Sequence, residues 1–203
     1  MTDPGAVVSE RWARWRRSVD LDEYDTRWES MRARGEQSHG EVDAVERLSR
    51  EHGTSNMVLD AGCGTGRVAI ELAERGFDVV AADLDPDMIE RARRRTSDVE
   101  WLVADLATYE WTTSFGVVVM AGNVLNFCRP GTAAAIVERA SSAVATGGLL
   151  VVGWTQERNE TSYLARDLIA DAVGLMHLVT WSTWDGGPWT ADDDYAVVVM
   201  RRP

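Results

Sequence analysis

Between Val58 and Gly66 an apolar run ends in an acid and then in three glycines: Val58-Leu59-Asp60-Ala61-Gly62-Cys63-Gly64-Thr65-Gly66. This stretch constrains the fold more than any other. The apolar part has strand length, and glycine permits positive φ and close approach of backbone to a ligand. A helical stretch over 67–75 follows and stops at Gly76. A helix start presents unpaired N–H groups. Strand, glycine turn and helix together make a corner suited to holding a ligand.

The rest of the chain repeats strand and helix. Short apolar runs predict strands at 57–61, 77–82, 99–104, 115–120 and 149–154. Helical patterns lie between them at 67–75, 86–95 and 130–145, and another follows at 161–173. Asp85-Pro86 reads as an N-cap with proline at the first helical position. Such alternation predicts a mostly parallel sheet covered on both faces. Right-handed crossovers put the C-terminal strand ends on one edge, where ligands bind near the switch point. Two last strands, 176–184 and 194–201, have no helix signal between them. They are expected to pair antiparallel, with their turn on the ligand edge. The expectation is a doubly wound, seven-stranded α/β sheet with an antiparallel last strand.

The first fifty residues read as helical. Val8, Trp12, Trp15 and Val19 form one apolar stripe, the acidic stretch 20–25 interrupts it, and Val42, Val45 and Leu48 form a second stripe. Residues 1–40 are expected to be a helical cap and 41–203 the main domain. Tyr24 and Trp28, at i and i+4, would share one face of the cap. The cap is expected to fold over the ligand edge as a lid, with a dimerisation arm as the alternative.

The formal net charge of −12 disfavours a nucleic-acid partner. Arg11, Arg14, Arg16 and Arg17 are the exception, crowded beside Trp12 and Trp15. They suit a helix packed on the domain with its arginines outward, or else contact with RNA or acidic lipid. No apolar run is long enough to span a bilayer, and the start lacks the apolar core of a signal peptide. Cys63 and Cys128 form no disulfide framework. A cytoplasmic location is expected.

The glycine spacing is G-x-G-x-G, with Arg67 where a dinucleotide fingerprint has its third glycine. Asp60 is a poor neighbour for a pyrophosphate and a good one for an ammonium group. Asp60-Ala61-Gly62-Cys63-Gly64-Thr65-Gly66 resembles the first motif of class I S-adenosylmethionine (SAM)-dependent methyltransferases, which are Rossmann-like. The resemblance covers residues 42–201 and implies SAM as cofactor. Asp83, ending the second strand, matches the acid that accepts from ribose hydroxyls. Asp105 matches the acid that accepts from the adenine amine, with Leu106 supplying a backbone N–H. Leu84 packs on adenine or in the core. Phe115–Met120 resembles the family's fourth strand, although Gly116 stands where many relatives have Asp. The resemblance puts Ala121–Asn123 beside the sulfonium. The cofactor set is thus Asp60, Ala61, Gly62, Cys63, Gly64, Gly66, Asp83, Leu84, Asp105, Leu106 and Ala121.

Ala121-Gly122-Asn123-Val124 departs from the Asn-Pro-Pro-Tyr of DNA amino-methylating relatives. Asn123 orients a substrate or caps a loop, and His39 is a base, a SAM contact or a surface histidine. These two are the candidate catalytic residues. His52, beside a helix stop, reads as exposed and His177 as structural. Trp154, Trp184 and Trp189 wall a substrate pocket or pack in core and hairpin. Asp192-Asp193-Asp194 reads as a solvated turn, and no metal site is expected. The implied activity is in-line methyl transfer from SAM to a small-molecule acceptor by a monomer or homodimer. A SAM-binding protein without catalysis and a nicotinamide-dependent oxidoreductase are the alternatives.

Overall fold

The computed structural model describes residues 8–34, 40–157 and 162–203. In chain order the elements are α1 (Glu10–Ser18), α2 (Leu21–Ala33), α3 (Gly40–His52), β1 (Met57–Ala61), α4 (Arg67–Glu74), β2 (Asp78–Asp83), α5 (Pro86–Arg95), β3 (Val99–Val103), β4 (Phe115–Met120), α6 (Val124–Phe127), α7 (Ala133–Ala143), β5 (Val144–Thr155), α8 (Ala165–Asp171), β6 (Met176–Trp181) and β7 (Tyr195–Arg201). The seven strands form one sheet in the order β3-β2-β1-β4-β5-β7-β6. β1 to β5 run parallel, and β7 pairs antiparallel with both β5 and β6. The order reverses between β1 and β4, so a crevice opens beyond their C-terminal ends.

Period-two alternation divides the core. Val58, Val117, Val119, Val151 and Val199 face α3, α4 and α5, while Leu59, Val118, Met120, Leu150 and Val198 face α7 and α8. Both sets are essentially inaccessible. Continuous apolar runs in β1, β4 and β7 follow from burial on both faces. Gly116 also has a reason: a Cβ there would lie 2.2 Å from the Ser55 carbonyl oxygen. The loop before β1 packs directly on β4, so a side chain has no room.

Several boundaries differ from the sequence reading. The acidic stretch 20–25 interrupts the helix only at its start, and the remainder lies within α2. Asp20 caps α2, its Oδ1 accepting from the Asp22 and Glu23 N–H groups, and Val19 and Asp20 make the break. β5 begins at Val144, so Gly147 and Gly148 lie inside it rather than just past a helix. The β4–β5 register shifts there, and a Cβ on Gly148 would meet three carbonyl oxygens within 3.0 Å. Local pattern cannot separate a glycine that ends a helix from one that makes room for a bulge. α6, a single turn, carries no periodic signal. The β6–β7 connection does lie at the C-terminal edge.

Candidate functional site

β1 ends in Asp60 and Ala61 and passes into the glycine turn. The Gly62 and Cys63 N–H groups both bond the Ala82 carbonyl oxygen, at 2.7 and 3.0 Å, which ties the turn to β2. Gly62 has φ +86, and a Cβ would lie 2.4 Å from Val124. Gly66 has φ +84, and a Cβ would lie 2.3 Å from the Trp101 ring. These two glycines therefore fix how closely the turn sits against α6 and β3.

Three acids stand at the ends of β1, β2 and β3, on the wall of one cavity. Asp60 is 1% exposed, and among the described residues its Oδ2 has no hydrogen-bond partner. Burial pushes its carboxyl up to about 7, opposed by the Arg67 charge and a backbone N–H from Ala69. Arg67 is held by Glu41 through a fork of 2.5 and 3.1 Å. Asp83 accepts from the Gly64 N–H at 2.8 Å and the Asp85 N–H at 3.0 Å. Burial raises its carboxyl, and those two N–H groups pull it back. Each oxygen keeps a lone pair for a further donor. Asp105 accepts from the Ala107 N–H at 2.9 Å, with the Arg129 guanidinium 3.6 Å from its other oxygen.

The opposite wall is aromatic. Trp12 and Trp15 of α1, Tyr24 of α2 and Phe127 of α6 line the same cavity. Trp12 and Trp15 stack at 4.9 Å, each 5.6 Å from Phe127, and Tyr24 meets Trp15 edge-on at 6.0 Å. None of the α1 residues is fully buried. Its apolar face lies on the cavity rather than on the core. Ser9 pins the start of α1 by donating to the Phe127 carbonyl at 2.6 Å and accepting from the Trp12 N–H at 3.0 Å.

This chemistry suits a cationic nucleoside. An ammonium or sulfonium beside Asp60 would complete its unpartnered oxygen, hydroxyls would suit Asp83, and an exocyclic amine would suit Asp105. A methyltransferase domain model matches residues 58–148. Glycine/sarcosine N-methyltransferase of Parasynechococcus marenigrum is 38% identical over 90 residues, which are 40% of this chain and 32% of that protein. An uncharacterized methyltransferase of Mycobacterium tuberculosis is 31% identical over 126 residues, 61% of this chain and 57% of that one. A TehB-like SAM-dependent methyltransferase from Corynebacterium glutamicum superimposes with a TM-score of 0.77 at 28% identity, covering 90% of this chain and 97% of that one. Residues 58–148 thus carry a methyltransferase domain, and the fold is shared with a SAM-dependent methyltransferase. Its matches span less than two thirds of the length of these two curated relatives. The oxidoreductase alternative falls with this assignment.

Of the residues expected to hold SAM, the chain brings Asp60, Gly62, Cys63, Gly64, Asp83, Leu84, Asp105, Leu106 and Ala121 to the cavity wall. Ala61 and Gly66 are off it: Ala61 is packed in the core and Gly66 caps α4. Asn123 is also off it, because its Oδ1 accepts from the Thr155 N–H at 2.7 Å and holds the end of β5. Its left-handed φ of 67° fits the loop-capping role. Trp154, Trp184 and Trp189 are not on this wall. Trp154 is 1% exposed and donates to the Tyr163 carbonyl, and Trp184 fills the space over Gly153 and donates to the Tyr195 hydroxyl. His39 and the Trp28 side chain lie outside the described residues. Phe127, Arg129 and Ile136 also line the cavity, and sequence reasoning missed them. Phe127 sits on the turn of helix that has no pattern of its own, and the Trp12/Trp15 stripe was legible without its target. Among the described residues no group of His, Cys, Asp or Glu is clustered to hold a metal, and no helix is long and apolar enough to cross a membrane.

Proposed function

We propose that the chain methylates a small-molecule acceptor held between the acid-lined glycine turn and the aromatic wall of the α1–α2 segment. The observation that carries this reading is that both walls belong to one cavity. SAM, when bound, supplies a methyl group already activated on a sulfonium. The protein's part is then placement: holding two partners in line supplies much of a bimolecular rate. Asp60, Asp83 and Asp105 hold and orient the cofactor, and the Ala121–Gly122 turn forms the wall beside them. Trp12, Trp15, Tyr24 and Phe127 exclude water and offer flat apolar surface to the acceptor. Residues 1–40 act as cap and 41–203 as catalytic body. A relative named for glycine and sarcosine N-methylation supports a small acceptor. Arg11 and Arg16 are engaged within the chain, which supports a reading without nucleic acid. We place the protein in the cytoplasm as a monomer or homodimer.

The test has two parts. SAM and S-adenosylhomocysteine should each raise the melting temperature, since ligands of the native state stabilise it by mass action. A panel of small amines, alcohols and thiols should then yield S-adenosylhomocysteine with at least one acceptor. A shift with NAD and none with SAM, or turnover on nucleic acid alone, would overturn the proposal.

A further inference from the structure

The arginine cluster of α1 is not used by the cofactor site, yet two of its members reach the body of the domain. Arg16 donates from Nε to Asp85 Oδ2 at 3.1 Å and from Nη2 to Asp87 Oδ2 at 3.4 Å. Arg11 pairs with Glu157 at 2.6 Å, just beyond β5. Arg91 of α5 reaches back to Asp22 of α2 at 2.5 Å. The cap is therefore clasped to the rim on both sides of the cavity, while the face it turns inward is half-exposed aromatic surface.

Asp85 has a special place among these anchors. It caps α5, accepting from the Asp87 N–H at 2.9 Å, and its own N–H is donated to Asp83 Oδ1 at 3.0 Å. Asp83 in turn fixes the Gly64 N–H of the glycine turn. One continuous set of contacts runs from α1 through Arg16, Asp85 and Asp83 to the floor of the cavity.

We infer that Arg16 is a positioning residue which couples closure of the α1 cap to occupancy of the cofactor site. Three features support this. The link is ionic and partly exposed, with side-chain exposures of 29% for Arg16 and 12% for Asp85, so it can break without unfolding a core. The apolar face of α1 lines the cavity, and none of the helix's residues is fully buried. The carboxylate that Arg16 grips is bonded, through its own backbone, to the acid expected to take the ribose hydroxyls. Binding below and closure above therefore favour one another, and by linkage the effect is reciprocal.

The inference rests on SAM binding at this site and is tested with S-adenosylhomocysteine on the whole chain. Calorimetric titrations at low and high salt would compare the parent protein with Arg16→Ala, Arg16→Lys and Arg17→Ala. Arg17 is an exposed cation on the same helix. The parent should lose affinity as salt rises, because exposed ion pairs are screened. Arg16→Ala should bind about two- to fivefold more weakly at low salt, in the range of such pairs, and should lose most of the salt dependence. Arg16→Lys should recover part of the loss, and Arg17→Ala should match the parent. Hydrogen exchange adds a spatial readout. Ligand should protect both the glycine turn and α1 in the parent, but only the glycine turn in Arg16→Ala. Equal affinity of Arg16→Ala and parent at low salt, or undiminished protection of α1, overturns the inference. If Arg16→Ala does not fold, the parent alone decides: salt must reduce ligand-induced protection of α1 more than that of the glycine turn, and equal reduction overturns the coupling. Absence of any binding by the parent would instead refute the cofactor site itself.

Discussion

Asp60→Asn separates what the buried acid costs from what it does. Asp60 is inaccessible, and its carboxyl is raised from 3.8 to about 7, chiefly by desolvation. A carboxyl raised on folding contributes stability that is complete below the unfolded value and is lost as pH climbs through the folded value. Burial of this carboxyl therefore penalises the ligand-free fold by ~2 kcal/mol at pH 5 and ~4 kcal/mol at pH 8. Asn has the same shape, retains an acceptor for the Ala69 N–H and does not ionise. Urea unfolding of both proteins at both pH values is the assay, because other titrating groups cancel in the difference. The variant should be the more stable, with its advantage larger at pH 8 by ~2 kcal/mol, or about 1 M in urea midpoint. The same variant should bind S-adenosylhomocysteine at least about tenfold more weakly, since a charge-assisted hydrogen bond contributes about 1.5–3 kcal/mol. An advantage independent of pH would refute the burial argument. Unchanged affinity would refute the assignment of Asp60 to the cofactor cation.

Two further substitutions probe the floor. Asp83→Ala should weaken SAM binding about tenfold or more while the sheet stays folded, and removing its bonds to Gly64 and Asp85 should cost ~1–2 kcal/mol of stability. An unchanged dissociation constant by calorimetry would take Asp83 out of the site. Gly66→Ala places a Cβ at positive φ and 2.3 Å from the Trp101 ring, and should destabilise by ~2–4 kcal/mol in urea. Trimming the obstacle with Trp101→Leu in the same chain should restore part of that loss, and no restoration would mean that backbone strain alone is responsible.

The floor of the site was legible because it is local. Asp60 through Gly66, and the acids that end the next two strands, belong to short strand-to-loop units whose residue types report their own geometry. The strand alternation also implied the doubly wound sheet, since crossover handedness puts all those ends on one edge. The roof was not legible in the same way. Trp12 and Trp15 form a visible stripe, but periodicity reveals only that a helix has an apolar face, not what lies beneath it. Asn123 and Trp184 each suit a site role or a structural one by type and position, and only the structure gives each its distant partner, the Thr155 N–H for one and the space over Gly153 for the other.

The sequence by itself determined the mostly parallel sheet, the antiparallel pairing of its last strands and the acid-and-glycine floor, because each is set by neighbours along the chain. Only the tertiary structure decided that Arg16 meets Asp85, that Phe127 joins the α1 tryptophans, and that Asp60 is buried with an oxygen unpartnered among the described residues. Those outcomes depend on pairs far apart in sequence, where burial and charge act through space and leave no periodic trace.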